Sequence, residues 1–293
     1  MIDLHAHTTA SDGSLSPAEL VQLAKRLGLT AVAVTDHDTV DGVQEAIEAG
    51  GKAGVDVVPG LEFSTEYSPG TMHLLGLEID PHEPNLRKEL AKRRRDRDER
   101  NPRIAEALRQ LGFDISMEEV KAAAGGDVIG RPHFGKVMAR KGYVSSVDEA
   151  FEKYLNAGRP AYIPQERIAP ALAIGRITQA GGVAILAHPY QLRPRSPEHL
   201  EEIVRNLVDA GLQGIEVNYS QHTPKQIQAY AELAERYDLA KSGGSDFHGS
   251  SKPDIQLGTG LGNLRVPPEF LPALRERRDS LRAAASFHPA ASR

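Results

Sequence analysis

His5 and His7 stand two residues apart at the end of the first apolar run, MIDLH. A strand alternates its side chains, so both imidazoles fall on one face. Asp246 and His248 repeat that spacing at the end of the last β-rich run, LAKSGGSDFH. Between these pairs, Asp12 sits in a Ser-Asp-Gly turn, His37 closes TAVAVTDH, Glu62 closes VDVVPGLEF, His73 lies in TMHLLGL and His188 closes GGVAILAH. Imidazole nitrogen and carboxylate oxygen together suit zinc, manganese or iron. One ion takes about three or four such donors. Six histidines and three carboxylates therefore point to two or three divalent ions (Mn2+, Zn2+ or Fe2+), with one carboxylate bridging. Such clusters activate water and neutralise phosphoryl oxygens, which is the chemistry of phosphoester hydrolysis. Asp36 and Asp38, beside His37, read as partners that orient ligand histidines. His82, His199 and His288 lie in polar surface contexts.

Alternating strands and helices must place these groups. Ser16-Pro17 opens a helix that ends near Gly28, and Asp41-Gly42 opens a second. After residue 160 come helices at about 170–180, 197–210 and 224–237, with strands GGVAILAH and GIEVN among them. About seven strands are visible, and the alternation implies a mostly parallel sheet or a barrel. Nearly all the metal-ligand candidates sit where a strand stops, the mouth at which barrels build their sites. Residues 81–160 break the rhythm. A charged helical segment over 86–111 meets Asn101-Pro102, which either caps a new helix or kinks the existing one. Short helices follow near 116–124 and 132–141, and the last residues, from Ala283, read as a frayed tail.

His5-Ala6-His7, Asp12-Gly13, Thr35-Asp36-His37, Gly60-Leu61-Glu62, His73, Ala187-His188-Pro189 and Ser245-Asp246-Phe247-His248 together resemble the PHP (polymerase and histidinol phosphatase) family. The resemblance implies a distorted (β/α)7 TIM-like α/β barrel, formed by residues 1–80 and 161–285, with 81–160 as a helical insertion. It also implies a partition of the ligands. His5, His7, Glu62 and Asp246 would hold one ion, Glu62 would bridge to a second with His73 and His188, and Asp12, His37 and His248 would hold a third. His5, His7, Asp12, Asp246 and His248 would then carry catalysis. Gly130-Arg131-Pro132-His133 and Gly158-Arg159-Pro160-Ala161-Tyr162 are similar to the TrpH-like branch of that family, which implies nucleoside 3′,5′-bisphosphates or short RNA as substrate.

Residues 87–103 carry nine Lys/Arg against four acids, inside a chain of 293 residues with net charge −5. Pairs such as Glu89–Arg93 suit a solvated helix, yet one face (Arg93, Arg97, Arg100) is placed to attract a polyanion. Lys92, Arg131, His133 and Arg159 are candidate substrate contacts, and His222 is a further contact or proton donor. Cysteine is absent, which excludes disulfides, thiolate zinc sites and cysteine nucleophiles. The acidic balance argues against a partner such as double-stranded DNA. No apolar run has the length of a membrane span, and the N-terminus lacks the pattern of a signal peptide, so a cytoplasmic location is expected, without an obligate protein partner. Two other readings are a phosphatase for histidinol phosphate or another small monoester, and a metal-binding regulatory module without turnover.

Overall fold

The computed structural model describes residues 1–124 and 128–287. β1 (Ile2–Asp3) leads into the loop that carries His5, His7 and Asp12. α1 (Pro17–Arg26) starts at a reciprocal cap. Ser16 Oγ accepts from the Glu19 amide, and the Glu19 carboxylate accepts from the Ser16 amide. β2 (Ala31–Val34), α2 (Val43–Ala53), β3 (Asp56–Thr65) and β4 (Met72–Leu77) follow. Then come α3 (Pro84–Gln110), α4 (Met117–Ala124), α5 (Arg131–Arg140) and α6 (Val147–Ala150), the last running into a π-helical turn over Phe151–Leu155. α7 (Pro170–Gln179), β5 (Val183–Leu186), α8 (Pro197–Asp209), β6 (Gly214–Tyr219), α9 (Pro224–Arg236), β7 (Ala240–Gly244) and α10 (Phe270–Phe287) complete the chain.

The seven strands lie side by side in sequence order. Backbone bonds across the seam bring β7 back to β1: Leu4 N–H donates to Gly243 O (3.1 Å), Asp246 N–H to His5 O (2.9 Å) and His7 N–H to Phe247 O (2.9 Å). The seam is tight. A Cβ on Gly244 would lie 2.4 Å from the His5 backbone nitrogen, so only glycine fits there. The result is a nearly closed α/β barrel. One apolar cluster joins strand residues to the surrounding helices, among them Leu20, Val32, Phe63, Ile177 and Val204. A second joins Leu4, Val58, Leu77 and Ile185 to Leu271 and Leu274 of α10. α10 crosses the end opposite the mouth, where Arg275 pairs with Asp56 (2.8 Å) and Glu78 (2.7 Å).

β4 runs antiparallel to both β3 and β5, whereas every other pairing is parallel. Residues 66–71 are too short for a crossover helix, so β3 and β4 form a hairpin. The start of β4, not its end, therefore lies at the mouth, and His73 reaches the site from there. Two other expectations change. α3 passes through Pro102 without a break: Pro102 and Asp98 are on the exposed face, open to solvent, while Asn101 is buried and donates to Ile129 O (2.9 Å). The expected tail is helical as far as Phe287, as its alanine-rich composition favours, while His288 and the residues after it lie outside the described residues. The helices between α3 and residue 163 have their own apolar cluster, with Ile104, Leu108, Phe134, Met138, Leu155 and Ala161 at its centre. Among the described residues, no helix is long and apolar enough to cross a membrane.

Candidate metal centre and anion cavity

Glu62 stands at the middle of the mouth, and its two oxygens face different histidines. Oε1 lies 2.8 Å from His73 Nδ1 and 2.8 Å from His188 Nε2. Oε2 lies 3.3 Å from His5 Nε2, 3.1 Å from His7 Nε2 and 3.2 Å from His37 Nδ1. A carboxylate addressed from both sides is the arrangement a bridging ligand needs. Asp246 Oδ1 lies 3.3 Å from His7 Nε2, and Asp12 Oδ1 lies 3.2 Å from His248 Nε2. Three groups bring their donor atoms within 4.8 Å of one another: His5, His7, Glu62 and Asp246; His7, Asp12, His37 and His248; and His37, Glu62 and His73. The first matches the partition implied by the family resemblance. The second adds His7 to it. The third contains His37, while His188 touches the same carboxylate from the other side.

The donor set fits divalent ions on a physical ground. His5 Nε2, both nitrogens of His7, His37 Nδ1 and Glu62 Oε2 are buried with no hydrogen-bond partner among the described residues. Buried polar atoms are seldom left so, and divalent ions would satisfy His5 Nε2, His37 Nδ1, Glu62 Oε2 and one nitrogen of His7. Their electrostatics agree. Burial opposes the charge on Glu62, but His37, His73 and His5 outweigh it and hold the carboxyl well below its usual range. Asp12 is likewise held down, against burial, by His248 and His37. Burial opposes charge on His7 too, yet Asp246 and Glu62 hold its imidazole up at about 9. A divalent ion would take over the protons' place between these groups.

The surrounding groups aim the ligands. Glu216 Oε1 lies 3.0 Å from His5 Nδ1, and Oε2 accepts from the His188 amide (2.7 Å). His248 Nδ1 donates to Asp246 O (2.8 Å), which leaves Nε2 for Asp12 or an ion. Asp246 Oδ2 accepts from Tyr219 Oη (2.8 Å) and Lys252 Nζ (2.7 Å). Asp38, His188 and Asp246, three of the non-glycine residues with positive φ, sit at this mouth at 50°, 26° and 58°. Asp36 and Asp38 do something other than orient histidines. Asp36 accepts from the Thr8 amide and hydroxyl and from Ser11 Oγ (2.8, 2.7 and 2.6 Å), which fixes the loop before Asp12. Asp38 accepts from the Ser64 amide and pairs with Arg97. The orienting carboxylate is Glu216, whose signal was an acid inside the apolar run GIEVN.

A cavity of about 280 Å³ is lined by Asp12, His37 and His73 of this cluster. α3 and the segment after it line it with Arg93, Arg97, Arg100, Arg131, His133 and Arg167. Arg93 pairs with Glu89 (3.1 Å), and Arg97 with Asp38. Arg100, Arg131 and Arg167 have no carboxylate partner among the described residues. They bond only to neutral oxygens, at Gln165 and Asn101, at Leu155 O (2.9 Å) and at Thr65 O (3.4 Å) respectively. Burial, then repulsion from Arg97, Arg131 and Arg167, pushes Arg100 down to about 9. Arg131 also lies between two rings, with Cζ 5.6 Å from the centre of Phe151 and 5.4 Å from that of Tyr162. His133 is fully buried. Its Nδ1 accepts from the Gly130 amide (3.0 Å), so the neutral ring carries its proton on Nε2, which has no partner among the described residues.

The other expected contacts lie elsewhere. Lys92 is one residue from Arg93, about 100° around the helix; it does not line the cavity but pairs with Glu166 (3.6 Å), which does. Arg159 is exposed on its turn. His222 is buried among Tyr190, Tyr219 and Tyr230, with Nδ1 donating to Val217 O (2.8 Å). Arg167 and Lys252 were not singled out in the sequence, because a lone cation in a loop carries no spacing signal.

Burial pushes His222 down to about 4, while the unfolded residue titrates near 6.5. A depressed histidine contributes stability that is present above the unfolded value and lost as pH falls toward the folded one. His222→Gln should therefore lessen the loss of stability between about pH 6.5 and 4 by up to about 3 kcal/mol, as read by urea unfolding. An unchanged acid slope would refute the depressed value.

The PHP domain profile matches residues 3–163. The chain is 35% identical over 263 residues to the 5′-3′ exoribonuclease Rnm of Escherichia coli K12, covering 88% of each protein. It is 34% identical over 279 residues to the 3′,5′-nucleoside bisphosphate phosphatase of Chromobacterium violaceum, covering 94% of this chain and 95% of that one. A metal-dependent phosphoesterase structure from Bifidobacterium adolescentis superposes with a TM-score of 0.83 at 31% identity, covering 94% of this chain and 96% of that one. The mouth geometry and these likenesses agree, and the chain belongs to the PHP family of metal-dependent phosphoesterases.

Proposed function

We propose that the chain removes the 3′-phosphate of nucleoside 3′,5′-bisphosphates, using two or three divalent ions (Mn2+, Zn2+ or Fe2+). The observation that carries this reading is one cavity lined both by members of the ligand cluster, Asp12, His37 and His73, and by three guanidiniums without acids, Arg100, Arg131 and Arg167. A substrate with two phosphates satisfies both. The cavity volume, near the lower end of the ~300–1,000 Å³ range of small-molecule sites, suits one nucleotide rather than a duplex. In this reading residues 81–160 act as a substrate-holding insertion on a barrel of residues 1–80 and 161–285.

When bound, the ions supply an activated water and draw charge from the phosphoryl oxygens. His5, His7, Asp12, His37, Glu62, His73, His188, Asp246 and His248 hold them. Arg100, Arg131 and Arg167 hold the 5′-phosphate by charge-assisted hydrogen bonds, and the neutral His133 ring donates a hydrogen bond from Nε2–H to a substrate oxygen. Water attacks phosphorus, the bond from phosphorus to O3′ breaks, and the proton that the water gives up ends on O3′, which leaves as a hydroxyl. Short 5′-phosphorylated RNA offers the same 5′ nucleotide and the same 3′-phosphorus, and the name of the Escherichia coli relative favours it as a second substrate. Histidinol phosphate, a small amine with one phosphate, gives the three guanidiniums nothing to bind.

The test is adenosine 3′,5′-bisphosphate with added Mn2+. The expected products are adenosine 5′-monophosphate and one phosphate per nucleotide, with no reaction in excess chelator. Release of the 3′-monophosphate, or turnover untouched by chelator, would overturn the reading.

A further inference from the structure

The mouth is covered unequally. Every residue lining the cavity lies between Ser11 and Arg167, on the side of β1 to β4. Bonds from the helical segment tie it to that side: Lys136 Nζ to Asp12 O (3.3 Å), Arg97 to Asp38, Arg167 to Thr65 O (3.4 Å), and the Glu66 amide to Ile168 O (2.9 Å). The loops after β5, β6 and β7 also bond to one another, and their edges meet that side where the Thr71 amide donates to Gln191 O (2.9 Å) and Ser251 Oγ to Asp12 O (3.0 Å). The Tyr190 hydroxyl meets Gln221, Ser220 Oγ donates to Ser245 O (2.6 Å) and Lys252 reaches Asp246. The ligand cluster lies between these two sides. A polymer whose phosphate rests on the cluster, with its 5′ nucleotide in the cavity, must carry its 3′ remainder over the β5–β7 rim.

That rim has the chemistry to receive it. Tyr190 is half-buried, its ring centre 5.7 Å from those of Tyr219 and His222, so it is braced from behind. Arg193 and Arg195 are exposed on the same loop. The Lys252 side chain is 41% exposed beside Asp246. An aromatic face flanked by cations is how single-stranded nucleic acid is held without regard to sequence. We infer that the β5–β7 rim is a binding track for the nucleotides 3′ of the cleaved phosphate in single-stranded RNA, with Tyr190 as the base platform and Arg193, Arg195 and Lys252 facing the backbone. This rests on the placement of the 5′ nucleotide proposed above.

The experiment compares wild type, Tyr190→Ala and the double variant Arg193→Ser/Arg195→Ser on a 5′-phosphorylated tetraribonucleotide and on adenosine 3′,5′-bisphosphate. Each variant should lose about tenfold more kcat/KM on the tetranucleotide than on the bisphosphate. For the double variant, the log–log salt slope on the tetranucleotide should become shallower by about 1.4, the value for two backbone contacts on a single strand. Equal losses on both substrates, or a wild type that hydrolyses the bisphosphate and leaves the tetranucleotide intact, would overturn the track. Should wild type turn over neither, the phosphatase reading fails, and the track is decided by binding. A fluorescent phosphorothioate tetranucleotide that resists cleavage should bind the metal-loaded variants about tenfold more weakly than wild type, and undiminished binding or none to wild type would overturn it.

Discussion

Asp246→Asn is expected to lower kcat by at least about a thousandfold and to remove at least one metal ion from the purified protein, with the fold intact. The rate figure follows from the several kcal/mol that metal coordination contributes to phosphoryl transfer, at about 1.4 kcal/mol per tenfold. Asp246 Oδ1 faces His7 and His5 at 3.3 and 3.7 Å, so the change removes a charged donor from the group that shares Glu62. Asparagine is the informative substitution. Asp246 sits at φ 58°, a conformation that asparagine tolerates and alanine does not. The seam bond from the residue 246 amide to His5 O survives in either variant. Asp246→Ala should therefore show the same catalytic loss plus a drop in stability of about 1 kcal/mol that Asp246→Asn lacks. Elemental analysis and urea unfolding separate the two effects. Full metal-dependent activity in the asparagine variant would remove Asp246 from the ligand set.

The strength of the sequence reading varied with how local each signal was. His5, His7, Asp246 and His248 were legible because a two-residue spacing at a strand end fixes direction within a few residues. The caps at Ser16 and the helix starts at Pro17 and Pro224 were legible for the same reason. His73 was harder. It does not end a strand, and it joins the site only because β4 reverses direction, which the short 66–71 connection encodes by its length alone.

The anion end of the cavity was half legible. The stripe Arg93, Arg97, Arg100 shows in helical spacing, but which member lacks a carboxylate depends on Glu89, Asp38 and Gln165, brought there by tertiary packing. Arg167 lies in a loop without periodicity. Its position follows from the pairing of Ile168 with Thr65, a contact across about a hundred residues that local patterning does not specify. Of the two outcomes that Asn101-Pro102 left open, the new helix is excluded, because α3 runs unbroken from Pro84 to Gln110 with Pro102 on its exposed face.

Arg131→Ala should raise KM for adenosine 3′,5′-bisphosphate by about 10- to 100-fold, the range of one lost hydrogen-bonded charge pair, with a much smaller effect on p-nitrophenyl phosphate. The asymmetry follows from geometry. The contacts of Arg131 with Leu155 O and the rings of Phe151 and Tyr162 include no ligand residue, so in the proposed placement it meets the second phosphate of a bisphosphate and nothing of a small monoester. Its guanidinium is held by Leu155 O and by the rings of Phe151 and Tyr162, so it is ready before substrate arrives. Arg131→Lys keeps the charge but loses the flat fork that stacks between those rings, and should fall between wild type and alanine. Inorganic phosphate should raise the melting temperature of wild type more than that of Arg131→Ala, because the ion relieves the repulsion among Arg100, Arg131 and Arg167. Proportionate losses on the bisphosphate and the monoester would place Arg131 at the reacting phosphate rather than the second one.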